Sequence, residues 1–233
     1  MAVQIPVSFE FRSNQTFANF LPGANLELIS RLETLMEVAD EQQLIIWGKK
    51  GSGKTHLLHA CCQLLQQQGH SVFYLDLAGA GDPAVLEGLE YFELVCLDDL
   101  DQIAGQSAWE MALFGLHNQL RQQGHKLLIA SQQAINTLPI TLPDLKTRLN
   151  WGLAFKLQPL GGPDLLAALQ LKARYQGFDL PDKVGRFLLG RYSHDFLLLS
   201  SLLEELDNAS LSAQRKLTIP FLKQILAQRS VSD

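Results

Sequence analysis

Residues 44–55, LIIWGKKGSGKT, constrain this chain more than any other stretch. Four apolar residues, Leu44, Ile45, Ile46 and Trp47, run straight into Gly48-Lys49-Lys50-Gly51-Ser52-Gly53-Lys54-Thr55, which fits G-x-x-x-x-G-K-[ST] in full. Strand, glycine loop and helix are expected in that order. The glycines let the backbone fold tightly enough to aim successive N–H groups at phosphate oxygens. A helix beginning near Gly53 adds the positive end of its dipole to the same anion site. The expected nucleotide-binding residues are therefore Gly48, Lys49, Lys50, Gly51, Ser52, Gly53, Lys54, Thr55 and His56. Lys54 would reach the β- and γ-phosphates, and the Thr55 hydroxyl would ligate Mg²⁺.

The chain around this loop alternates short apolar runs with amphipathic ones. Residues 71–76, 94–97, 127–130 and 153–157 read as further strands. Helices are expected over 22–39, with Leu26, Ile29, Leu32, Leu35 and Met36 on one face, and over 108–123, with Met111, Leu113, Phe114, Leu116 and Leu120 inward. Such alternation predicts an α/β core with a mostly parallel sheet covered on both faces. The run 94–97 ends in Asp98-Asp99, the expected companion of a phosphate loop: Asp98 for the metal shell, Asp99 for the attacking water.

From Pro159 the strand pattern disappears. Helices are expected from Gly161-Gly162-Pro163 to Tyr175, from Pro181 to Tyr192, over 196–206 and over 219–227, a small all-α unit too small for a rich core of its own, packed on the sheet domain with the nucleotide between them. The expected organisation is thus an extended peptide over 1–12, an α/β nucleotide-binding domain over 13–158 and a helical lid over 159–233.

Composition narrows the function. The formal charge of −5 over 233 residues argues against a protein built to coat nucleic-acid phosphates. The three cysteines, Cys61, Cys62 and Cys96, lack metal-ligand spacing and read as reduced core residues. No apolar run approaches the ~18 residues of a membrane helix, and the start of the chain has no signal-peptide pattern, so a cytoplasmic protein is expected.

Longer matches give a family resemblance. Lys54-Thr55-His56-Leu57-Leu58-His59-Ala60 resembles the nucleotide loop of DnaA, the bacterial replication initiator, and 145–153, LKTRLNWGL, resembles its arginine-finger box. Thr16-Phe17-Ala18-Asn19-Phe20 is similar to its stretch before the ATPase core, and 177–181 with 215–221 to its helical lid. The resemblance covers residues 14–228 and implies the AAA+ fold, a five-stranded parallel core followed by a lid. The initiator's DNA-binding domain and long N-terminal region are expected to be missing. In place of the latter, Gln4, Ile5, Val7 and Phe9 resemble the short peptide that binds the β sliding clamp of DNA polymerase III. This combination is similar to the Hda family of DnaA-related regulators.

What the resemblance implies is specific. Arg148 would be an arginine finger acting in trans on ATP held by DnaA, worth about 10³–10⁵ in rate, so that DnaA-ATP becomes DnaA-ADP and re-initiation is prevented. ADP or another nucleoside diphosphate, with ATP possible, and Mg²⁺ are the implied cofactors. DnaA and the clamp are the implied partners, with DNA met only through the clamp and homo-oligomers possible. Gln132 stands at the uncharged sensor position, and Leu197 replaces the arginine with which a lid senses the γ-phosphate, so weak intrinsic turnover is expected. The competing readings are an autonomous AAA+ ATPase serving as a helicase or clamp loader factor, and a small-molecule kinase.

Overall fold

In the computed structural model the apolar run 44–47 lies inside a five-stranded sheet. The structure describes residues 15–38, 42–192, 196–213 and 218–229. The clamp-peptide residues Gln4, Ile5, Val7 and Phe9 lie outside these. The strands are β1 (Gln43–Trp47), β2 (Val72–Asp76), β3 (Leu94–Asp98), β4 (Lys126–Ser131) and β5 (Leu153–Lys156). Their order is β2-β3-β4-β1-β5 and every pairing is parallel. β1 pairs with β4 from Gln43↔Leu127 to Trp47↔Ser131, and with β5 from Leu44↔Leu153 to Trp47↔Lys156.

Two-residue periodicity sends neighbouring side chains to opposite faces. Ile45, Val95, Leu97, Leu127 and Ile129 share one face with the apolar stripes of α3 (Ser107–Gln123) and α4 (Pro143–Leu149). Leu44, Ile46, Leu94, Cys96, Leu128 and Ala130 face α1 (Leu26–Glu33) and α2 (Lys54–Gln67). Leu44, Ile45 and Ile46 are fully buried, each contributing about 1.5–3 kcal/mol. A strand apolar on both faces requires helices on both, which is why these residues sit in an inner strand of the sheet, between β4 and β5. The three cysteines are free and buried, with Cys62 Sγ 3.3 Å from Cys96 Sγ. Burial pushes the Cys61 and Cys96 thiols upward.

Two helix faces differ from the sequence expectation. Leu26 is 67 % exposed, and the buried residues are Leu28, Ile29, Leu32 and Leu35. At 100° per residue Leu26 falls far from the centre of that stripe. Met111 is 63 % exposed because the buried stripe runs Trp109, Leu113, Leu116, Leu120, and position 111 lies on the opposite side. The first helix is also shorter than the expected 22–39, starting as a 3₁₀ turn over Gly23–Asn25 and ending at Glu33. Buried Asn25 anchors this segment: its amide donates to Gln158 O at 3.0 Å and its Oδ1 accepts from Gln158 N at 2.7 Å.

The chain divides after Gln158 into two compact units. The second comprises α5 (Gly162–Tyr175), α6 (Asp182–Arg191), α7 (Phe196–Ala213) and α8 (Ile219–Arg229). It does have a core of its own, built on Leu165, Leu169, Val184, Leu188, Leu199, Leu203 and Leu222, contrary to the expectation from its size. Helix α7 runs past Leu206 because residues 207–213 contain no glycine or proline to stop it. Among the described residues, no helix is long and apolar enough to cross a membrane.

Candidate functional site

The glycine loop leaves the carboxyl end of β1, which lies between β4 and β5, a usual place for a ligand in an open parallel sheet. Gly48 N donates to Ser131 O at 3.1 Å, so the loop starts tied to the end of β4. Gly51 and Gly53 adopt φ of +80° and +104°, open to glycine and costly for other residues. At Gly53 a Cβ would also meet the Phe20 ring at 2.7 Å. Helix α2 begins at the next residue, and its first-turn N–H groups have no acceptor within the helix.

Lys54 is 5 % exposed, and its Nζ donates to Gly48 O at 2.8 Å and Lys49 O at 3.1 Å. Burial lowers its pKa, while the carboxylates of Asp98, Asp99 and Asp101 oppose that shift. The ammonium is thus held inside the loop with acids nearby. Ser52 Oγ is buried and unpartnered within the loop, a polar atom left for an incoming group. These features fit a nucleoside phosphate. Thr55 is exposed in the first turn of α2. The His56 ring packs on the segment before the core: its Nε2 lies 2.8 Å from Thr16 O and the ring 5.3 Å from that of Phe20.

The acidic pair is placed by the end of β3. Asp98 is 2 % exposed; Oδ2 accepts from the Tyr74 hydroxyl at 3.0 Å, and Oδ1 from Asp99 N at 2.9 Å. Burial, then the Asp98 charge, pushes the Tyr74 phenol up, so it stays a donor. Asp99 adopts φ +52°, the one left-handed non-glycine among the described residues, which bends the chain sharply after the strand. Burial and then Asp98, Asp101 and Asp76 push its carboxyl up, against Lys54. The Asp99 carboxyl is thereby made less acidic. Asp101 ties this turn to the end of β4, accepting from Gln132 N at 2.7 Å and Ser131 Oγ at 3.2 Å. Gln132 is therefore fixed through its backbone beside the acidic turn. Among the described residues no group of three or more His, Cys, Asp or Glu could by itself hold a metal.

Arg148 is not part of this constellation. It lies in the last turn of α4, where the next residue's carbonyl, Leu149 O, accepts from buried Gln43 Nε2 at 2.8 Å. Gln43 is the first residue of β1, and the loop leaves after the last. The strand alone spans about 13 Å. Buried Glu110 holds the other end of α4: its carboxylate accepts from Gly105 N at 2.7 Å, Leu142 N at 2.8 Å and Thr141 Oγ1 at 2.7 Å. Its hydrogen bonds outweigh burial and hold its carboxyl below the usual range. Gln43 Oε1 in turn accepts from His117 Nε2 at 2.8 Å, since the Gln43 amide is already donating to Leu149 O. Burial, then the Arg148 and Arg121 charges, lowers the His117 pKa to about 4. His117 is therefore neutral at ordinary pH.

Sequence reading missed Glu110, Gln43, His117 and Tyr74, all buried polar residues in apolar stretches; that polarity was the available signal. In the helical unit, Leu197 is 47 % exposed on α7.

The comparisons with known proteins agree with this architecture. The sequence model of the Hda lid domain matches residues 163–226, and that of the IstB-like ATP-binding proteins matches residues 8–80. Domain III of the Thermotoga maritima replication initiation protein DnaA superposes with a TM-score of 0.81 at 20 % identity, covering 94 % of this chain and 98 % of that one. AMPPCP-bound DnaA from Aquifex aeolicus gives 0.70 at 20 %, covering 85 % of this chain and 66 % of that one. The Thermotoga maritima RuvB branch migration motor gives 0.68 at 13 %, covering 91 % and 71 %. The chain spans about two thirds of the Aquifex protein's length.

Two outcomes test the site. Lys54→Ala removes the buried ammonium and should weaken nucleoside diphosphate binding by at least about tenfold, measured by isothermal titration calorimetry. His117 titrates near 6.5 unfolded and about 4 folded, so the unfolded chain binds the extra proton between those values. Its contribution is complete above the unfolded value and is lost as pH falls toward the folded one. From about pH 7 to about pH 5 it should cost about 2 kcal/mol, seen in urea unfolding and absent from His117→Gln.

Proposed function

We propose, on the premise that this chain is an AAA+ protein related to Hda and DnaA, that it is a nucleotide-bound regulator supplying Arg148 to the ATPase site of DnaA. The observation that carries this reading is the position of Arg148. It stands beside the start of β1, while the chain's own phosphate loop leaves the end of that strand. An arginine side chain does not extend that far. A guanidinium fixed at the wrong end of its own sheet suits the nucleotide of a neighbouring molecule. Among the described residues no carboxylate pairs with Arg148, so its charge remains available for a phosphate in transition.

The chain's own site holds rather than turns over. The loop amides, Lys54 and the Ser52 hydroxyl bind the phosphates of ADP or another nucleoside diphosphate. Thr55 and Asp98, both hard oxygen donors, would hold Mg²⁺, which when bound offsets phosphate charge. Asp99 would orient water, with Gln132 near the phosphate end. Leu197 cannot make the charge-assisted contact of a lid arginine, so triphosphate and diphosphate are poorly distinguished and hydrolysis is slow. The buried Lys54 and the acidic turn also favour a second reading, an autonomous ATPase; phosphate release without DnaA would then be fast.

The residues Gln4, Ile5, Val7 and Phe9 are proposed to tether the protein to the DNA-loaded β clamp. This couples DnaA inactivation to ongoing synthesis in the cytoplasm. Burying three apolar side chains yields about 5–9 kcal/mol gross, less about 2–5 kcal/mol for ordering. One peptide is then at best micromolar, and two copies on one ring gain about 10²–10⁴ by effective concentration.

Arg148→Ala should fold, bind nucleotide and bind the clamp, yet lose stimulation of ATP hydrolysis by DnaA, falling about 10³-fold or more toward the unstimulated rate. Normal stimulation by the variant would reassign the finger. Changing Gln4 and Phe9 together to Ala should abolish clamp pull-down and spare nucleotide binding. Unchanged pull-down would reduce the segment to a tail.

A further inference from the structure

Arg148 is held by an aromatic ring. Trp151 follows α4 by two residues, and its backbone N–H donates to Arg148 O at 3.1 Å. That turn folds residue 151 back over residue 148. The Arg148 guanidinium carbon lies 4.6 Å from the Trp151 ring centroid and 5.8 Å from that of Phe114. Arg121, from the last turn of α3, stands 4.7 Å from the same Trp151 centroid. The indole is 57 % exposed, so it is not there to fill the core.

A carboxylate would hold an arginine more firmly, but it would also cancel the charge that a transition state needs. The negative face of an indole attracts a guanidinium while leaving its net charge intact. Neutral His117 and neutral Gln43 beneath the same turn add no opposing charge. Arg121 fastens the ring to α3, so the indole has a second hold besides Arg148.

We propose that Trp151 is the positioning residue of Arg148: its indole stacks on the half-buried guanidinium without supplying a counter-charge, restricting the rotamers it must otherwise lose on meeting a phosphate. This rests on the reading of Arg148 as a finger acting in trans. Arg121 steadies the ring and does not itself meet the nucleotide.

The test separates the ring contact from the finger. In full-length protein labelled with ¹⁵N-arginine, the Arg148 Nε–Hε resonance, assigned by its loss in Arg148→Ala, should be displaced upfield by the ring current. Trp151→Ala should return it toward the exposed arginines, while Trp151→Phe retains part of the displacement. With DnaA-ATP and the DNA-loaded clamp, Trp151→Ala should lower the maximal stimulated hydrolysis rate about threefold to tenfold. The concentration giving half-maximal stimulation, and nucleotide binding, should stay the same, and Trp151→Phe should restore most of the rate. An Arg148 resonance unmoved by Trp151→Ala overturns the proposal. So does full stimulation by Trp151→Ala when Arg148→Ala has lost it. Full stimulation by both variants removes the finger reading itself, and the positioning role falls with it although the resonance shift persists.

Discussion

A buried ammonium governs the phosphate loop. Lys54 donates to Gly48 O and Lys49 O, carbonyls of the loop that precedes its own helix. Those bonds tie the start of the loop back to the first residue of α2. An ammonium at 5 % exposure is costly, and the cost is offset by the two carbonyls and by Asp98, Asp99 and Asp101. The acids are themselves held by the turn after β3, where the left-handed Asp99 lets its own N–H reach Asp98. Loop and acidic turn are parts of one charge arrangement.

A second arrangement sits at the other end of β1 and obeys a different rule. There neutral amides and a neutral histidine fix the backbone, and Glu110 spends its charge on Gly105, Thr141 and Leu142. Helix α4 has only seven residues, too few to be stable alone. Its end bonds to Glu110 and Gln43 and its buried Leu145 and Leu149 hold it in place. Gly152 belongs to the same design: a Cβ there would lie 2.7 Å from Gln43 O. One strand thus carries the glycine loop at one end and the helix that bears Arg148 beside the other.

The sequence by itself determined the parallel α/β core, the phosphate loop, the acidic pair and the all-α second unit. Each depends on local spacing: four apolar residues before a glycine loop, acids after a buried strand, or a 3.6-residue stripe. The family resemblance marked Arg148 but said nothing of what holds it. Tertiary structure decided which faces of α1 and α3 are buried, against the expectation for Leu26 and Met111. A helix with apolar residues on more than one side can bury only the stripe that its neighbours cover. It also decided the partners of Glu110, Gln43, His117 and Trp151, which lie 31, 106, 74 and 3 residues away at Thr141, Leu149, Gln43 and Arg148. Three of those separations are long, and a hydrogen bond between distant residues has no periodicity to betray it. The fourth is short, yet a tryptophan three residues past an arginine stacks on it only because α4 ends in a turn there. Arg148 itself is written locally; the ring, amide and carboxylate around its helix meet only when the sheet and helices are assembled.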